Sequence, residues 1–196
     1  MLVAVPVVFL AVMMVRHYWA GRGVCESGNC ENGTGKKLYR NGNIYQGTFK
    51  DGDPEGFGAF GAPNGDSYMG EWHSGRKDGN GVYRYANGGQ YEGRFVRNVR
   101  EGFGTYRWAD GTTLRGSWHR GEPEGRVVLE LPTKEKLLGV YKDGMIFSGA
   151  GVRVYPDGAR YVGQWQNGKR EGRGTQLDAS GGTVFSGQWK NDEPVR

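Results

Sequence analysis

The sequence is poor in the residues that build deep cores or metal sites. It has two cysteines and seven prolines in 196 residues. Two cysteines alone cannot make a zinc site. Hydrophobic residues reach only 36%, too few for a globule with a deep core. The formal net charge is +5, but no dense Lys/Arg run stands out, which excludes a nucleic-acid-binding arm. There is no Gly-x-Ser-x-Gly elbow, no His-Glu-x-x-His pair and no glycine loop followed by Lys-Ser/Thr. The expectation is a non-enzyme, with no catalytic residues, no metal and no cofactor.

What the sequence does hold is glycine and rings. Glycine totals 37 and aromatics reach 13%. Disordered chains are poor in aromatics. A structure with many turns and a thin, ring-filled interior fits this composition.

Met1 to Val15 is an unbroken apolar run closed by Arg16. As a helix it spans ~22 Å, and a bilayer core needs ~30 Å. Counting on through Tyr18, Trp19 and Ala20 reaches that length. A cleaved signal peptide and an uncleaved anchor compete. No Lys or Arg precedes the run and the cleavage sites near Ala20 to Gly23 are poor, which favours the anchor. The expected localisation is membrane-associated, with a single-pass N-terminal anchor; the alternative is a secreted or periplasmic product. Arg16 and Arg22 would keep the body cytosolic. Cys25 and Cys30, flanking Glu26 to Asn29, hint at a disulfide and an oxidising compartment, with two unlinked thiols as the other reading. The side of the membrane stays open. Asn32-Gly33-Thr34 is a formal glycosylation sequon, but its Asn-Gly has a simpler role as a repeat turn.

Self-similarity organises the rest. A glycine pair recurs as Gly33/Gly35, Gly56/Gly58, Gly79/Gly81 and Gly102/Gly104, then Gly125/Val127, Gly149/Gly151 and Gly172/Gly174. The interval is 23 residues, once 24. Tyr45, Tyr68, Tyr91 and Tyr161, with Phe49, Trp72, Phe95, Trp118, Trp165 and Trp189, flank a second glycine column. Tyr-x-Gly-x-aromatic alternates with period two, so it is a strand with its rings on one face. The glycine on that face leaves a slot for a neighbouring ring. Gly52 to Gly56, Gly75 to Gly79 and Gly121 to Gly125 are read as chain reversals. Asn41-Gly42, Asn64-Gly65, Asn87-Gly88, Asp110-Gly111 and Asp157-Gly158 close each unit with the short-turn signal. Each repeat is therefore a β-hairpin that cannot bury its rings alone, and stacking makes a continuous seam.

The run Tyr45-x-Gly47-x-Phe49-x-x-Gly52-x-x-x-Gly56-x-Gly58 resembles the MORN ("membrane occupation and recognition nexus") repeat, over about residues 30 to 190. The resemblance implies a curved or twisted all-β sheet and a scaffold role, often at membranes. It also implies, for some members, binding of anionic phospholipid. The expected architecture is an elongated single-sheet array of β-hairpin repeats preceded by a short hydrophobic N-terminal helix. Residues 1–20 form the signal or anchor, 21–29 a linker, and 30–196 about six and a half repeats of 23–24 residues. Repeat 114–136 departs from the pattern, with Val127 for Gly and Lys134 at the closing turn. It reads first as drift within a tolerant strand pair, with a bend or docking site as the functional option.

Histidines 73 and 119 share a column with Lys, Val and Gln, so they are surface positions. Glu55, Asp78, Glu101, Glu124 and Glu171 form an acidic column at the turns, expected to accept backbone N–H bonds. Arg76, Lys77, Arg97, Arg100, Arg120, Lys169 and Arg170 fall in or beside the turns. They are the candidate contacts for lipid headgroups or an acidic partner, although a solvated edge is the plainer reading. The functional expectation is a membrane-associated scaffold for protein binding or self-association through sheet edges. Its alternatives are a direct binder of anionic lipid and, behind that, a subunit of a separate enzyme.

Overall fold

The computed structural model describes residues 23–195. The expected N-terminal helix and anchor lie outside the described residues. Among the described residues no helix is long and apolar enough to cross a membrane.

The protein is all-β, a single antiparallel sheet of sixteen strands in sequence order. They are β1 (Gly23–Gly28), β2 (Gly33–Tyr39), β3 (Ile44–Lys50), β4 (Asp53–Gly61), β5 (Ser67–His73), β6 (Arg76–Arg84), β7 (Gln90–Val96) and β8 (Val99–Arg107). Then follow β9 (Thr113–His119), β10 (Glu122–Glu130), β11 (Lys136–Lys142), β12 (Met145–Val154), β13 (Arg160–Gln166), β14 (Lys169–Leu177), β15 (Thr183–Lys190) and β16 (Glu193–Pro194). The strands group into two compact units. The first holds the described residues up to Ala86 with Phe95–Asn98; the second holds Asn87–Arg94 and everything from Val99 onward.

In the first unit, Tyr45 and Phe49 of β3 and Tyr68 and Trp72 of β5 are buried, and the residues between them are more exposed. Each tyrosine meets rings edge-on from its own strand and from the next repeat. Tyr45 lies 5.0 Å from Phe49 and 5.2 Å from Trp72; Tyr68 lies 5.2 Å from Trp72 and from Phe95. Edge-to-face rings at this separation add stabilisation beyond burial alone. The glycine slot is real. A Cβ on Gly58 would stand 2.2 Å from the Tyr45 hydroxyl, and one on Gly81 would stand 2.3 Å from that of Tyr68. The tyrosine ring lies where side chains would otherwise be.

The reversals sit slightly upstream of the expected place. Asp51 and Gly52 both have positive φ (52° and 79°), as do Ser74 and Gly75 (48° and 73°). Two successive left-handed residues make a type I′ hairpin turn. The chain is already strand from Asp53, and Pro54 is buried within it. Gly56 sits where the β3–β4 register shifts, a bulge and not a reversal. The Asn-Gly turns are the looser kind. Gly42 N–H donates to Tyr39 C=O and Tyr39 N–H to Asn43 C=O, a three-residue loop with glycine in the left-handed position.

The segment read as a linker is strand β1, paired with β2 and pinned by a Cys25–Cys30 disulfide. Cys30 is buried against Gly35 and fills the first place of the seam.

In the second unit the same seam runs through Tyr91–Trp118 (5.1 Å), Tyr161–Trp165 (5.1 Å) and Tyr161–Trp189 (5.1 Å). The irregular repeat lies between. There Leu114 replaces the tyrosine, and the Cγ1 of Val127 enters the vacated slot, 2.6 Å from where a Gly116 Cβ would be. The Val127 departure is thus a matched exchange of volume, ring for methyl groups. Val127, Leu129 and Ile146 are buried almost completely. A one-layer sheet achieves this only by coiling over them. Strands β10 and β12, though separated by β11, approach each other. Arg160, at the start of β13, forms an ion pair with Asp110 in the β8–β9 loop. Flat strands four places apart would hold those backbones ~19 Å from each other. The irregular repeat is a bend.

Candidate interaction surfaces

The molecule offers three surfaces: the seam, the turn edge and the outer face of the sheet. The seven basic residues expected at one edge are divided between the first two. Lys77 reaches into the seam, its ammonium 4.4 Å from the centre of Tyr83, 5.7 Å from Tyr68 and 5.8 Å from Phe95. Burial pulls its pKa down to about 8, opposed by Asp66. Arg100 lies 4.4 Å from Trp118 and donates to Gly121 C=O. Arg170 lies 4.1 Å from Trp189 and pairs with Asp192 at 3.3 Å. These three are cationic rungs of the seam. Arg76 is half-buried on β6. Arg97, Arg120 and Lys169 are exposed, the first two in type I′ turns with φ of 47° and 51°.

The turn edge works as a clamp between repeats. Glu55, Asp78, Glu101, Glu124 and Glu171 accept the backbone N–H of Ser74, Arg97, Arg120, Asp143 and Asn191 at 2.9, 3.2, 3.0, 3.0 and 3.0 Å. Asn32 does the same for Asp51 at 3.0 Å. A backbone bond accompanies several of them, such as Gly75 N–H to Pro54 C=O. Each left-handed turn residue costs roughly 1–2 kcal/mol, and these bonds from the preceding repeat hold it in place. His73 and His119 are exposed but not idle. Their Nδ1 atoms lie 3.0 and 2.9 Å from Glu55 and Glu101. His119 and the Arg120 N–H hold the Glu101 carboxyl below its ordinary value. Burial pushes Glu55 up, but the Ser74 N–H and His73 outweigh it and hold it low.

The outer face carries exposed apolar side chains that the sequence pattern did not single out. Phe57 (63%) and Met69 lie there in the first unit, and Phe103 (59%) and Leu138 (71%) in the second. The signal was present in Leu137-Leu138-Gly139-Val140-Tyr141, a run apolar in both strand phases. Half of such a run must face away from the seam.

The sheet edges are blunted. The β1–β2 register shifts between Cys25 and Ser27, and β16 is a two-residue strand ending in Pro194. A bulge and a proline both discourage edge-to-edge growth. Among the described residues no group of three or more His, Cys, Asp or Glu side chains could hold a metal ion.

Comparison with curated proteins finds no match. Among solved structures the chain is similar to the Drosophila melanogaster SAS-4 (dCPAP) TCP domain in complex with a proline-rich motif of Ana2 (dSTIL). The identity is 17%, with 83% of this chain and 86% of that one covered, and the TM-score is 0.43. It is also similar to the Danio rerio CPAP TCP10 domain in complex with a STIL peptide, at 17% identity, 80% and 84% coverage and a TM-score of 0.33. Both scores are too low to bear on function. The family model for the MORN repeat matches residues 45–67, 68–90, 91–113, 115–126, 139–160, 161–183 and 185–195, breaking off over the bend. With the ring seam, the glycine slots and the clamped turns recurring in that register, the chain belongs to the MORN repeat family.

Proposed function

We propose that this protein is a non-catalytic scaffold, tethered to a membrane through residues 1–20, whose repeat array binds protein partners. The observation that carries the reading is the outer face. A sheet one layer thick closes its seam on one side and leaves Phe57, Met69, Phe103 and Leu138 at least half exposed on the other. Apolar side chains of this size on a sheet face are what a second layer covers. The lipid-headgroup reading loses weight because Lys77, Arg100 and Arg170 are occupied by rings. Self-association through strand edges loses weight because both edges are blunted.

The full chain and a chain starting at Gly23 would be expressed in parallel and washed with alkaline carbonate. The full chain should stay with the membrane and cross-link to protein, and Phe57→Asp with Leu138→Asp should remove the cross-linked species. Release of the full chain by the wash would refute the tether. Unchanged cross-linking in the double variant would refute the outer face as the binding surface.

A further inference from the structure

The bend concentrates on its outer side a patch unlike the rest of that face. Register places its members across five adjacent strands of the second unit. Phe103 faces Ser117, Thr105 faces Arg115, and Arg115 faces Val128. Val128 then faces Leu138, Arg126 faces Val140, and Lys142 faces Met145. The apolar members Phe103, Leu138 and Met145 are each more than half exposed.

Charge is one-sided here. Of the four carboxylates on these strands three are already taken, Glu101 by His119 and the Arg120 N–H, Glu124 by the Asp143 N–H, and Glu130 by Lys134 and Lys136, which leaves Glu122, exposed at the start of β10, against three cations. Arg115, Arg126 and Lys142 form no ion pair with any described carboxylate. Arg115 instead lies 5.3 Å from the centre of the Phe103 ring. An exposed aromatic–aliphatic strip bordered by three unanswered cations has a definite complement.

We infer that the outer face of β8–β12 is a docking site for an acidic amphipathic helix of a partner protein. This deepens the scaffold reading and rests on it. The interior strands of the patch are paired on both sides, so a partner gains little from the backbone and must bind through side chains. Five strands span ~19 Å, the length of about 13 helical residues. Apolar positions at i, i+3, i+4 and i+7 would cover Phe103, Leu138 and Met145. Asp or Glu on the flanks would meet Arg115, Arg126 and Lys142. A membrane surface is the competing occupant, and the vesicle arm of the test addresses it.

The test pans a phage-displayed library of random 16-residue peptides against the full chain, alongside Leu138→Asp and Arg126→Glu variants. Phosphatidylserine vesicles form a separate arm. The expected result is enrichment of acidic peptides with helical apolar spacing, whose affinity falls about tenfold or more in either variant. Circular dichroism and thermal melting, unchanged in the variants, exclude misfolding as the cause. Enriched peptides that bind both variants as well as the parent would overturn this site while leaving the scaffold reading intact. Vesicle binding lost in the variants, with no acidic peptide enriched, would overturn both.

Discussion

The exchange at the bend can be transplanted. Tyr45→Leu with Gly58→Val would convert a regular repeat to the Leu114/Val127 arrangement. Taken alone, Gly58→Val forces a Cβ to within 2.2 Å of the Tyr45 hydroxyl and 2.4 Å of its Cζ. The tyrosine is wholly buried and hemmed by Phe49 and Trp72, so it cannot step aside. Overpacking of this kind costs about 3 kcal/mol. Gly58 has no left-handed φ, so the valine backbone is itself unstrained. Tyr45→Leu alone removes two edge-on ring contacts and the 3.1 Å bond to Thr48 C=O, leaving a cavity that costs about 3 kcal/mol. Together the valine fills what the ring vacates, and the pair should cost about 3 kcal/mol instead of about 6. Urea unfolding followed by tryptophan fluorescence would measure all four corners of the cycle. A double variant whose loss equals the sum of the singles, to within about 0.5 kcal/mol, would refute the slot.

Other expectations follow from neighbouring details. The Trp165 Nε1 is buried without a partner, whereas those of Trp72 and Trp118 donate to Gly58 and Gly104 C=O at 3.2 Å. Trp165→Phe should therefore cost about 1 kcal/mol less than Trp118→Phe in the same melt. Glu55 and Glu101 have pKa values lowered by folding from the ordinary 4.5, so their stabilisation is full above that value and fades as pH falls through the folded pKa. Urea melts between about pH 7 and pH 3 should show a steeper acid loss in the parent than in Glu55→Gln/Glu101→Gln. Reducing Cys25–Cys30 opens a small loop worth about 2 kcal/mol in chain entropy. The amides of Val24 and Ser27 should then exchange with solvent faster, and those of β3 should not.

Much of the fold was legible because period and register are linear properties of a chain. A ring every second residue and a glycine pair every 23 or 24 define strand, face and neighbour together. Three features were misplaced or ranked second. Lys77, Arg100 and Arg170 read as edge charges because they are next to turns. Yet their column also holds Pro54 and Pro123, and a position shared by proline and arginine is one where a flat or long stem packs on rings. The I′ turns were passed over for Asn-Gly, although Gly, Asn or Asp stands second in every one from Asp51-Gly52 to Asn191-Asp192. Arg97 and Arg120 in first place disguised them, because intrinsic preference argues against arginine there and only the carboxylate of the preceding repeat reverses it. The bend was ranked behind drift because it depends on Asp110 and Arg160, fifty residues apart, meeting. No local pattern encodes that.

The clamps of the acidic column share one direction. Asn32 receives the turn at Asp51, Glu55 that at Ser74, and so on to Glu171 and Asn191: in this column the acceptor precedes its donor along the chain, while Asn98 and Asp192 reach the other way to the N–H of Lys77 and Arg170. As the polypeptide leaves the ribosome, a new hairpin finds the acceptor for its turn already in place, and only the N–H groups of Lys77 and Arg170 wait for the turn that follows. The growing end is thus guided from behind, and lengthening by duplication of a unit would need no new joint. Directional assembly of this kind keeps half-made copies from exposing two unfinished ends at once.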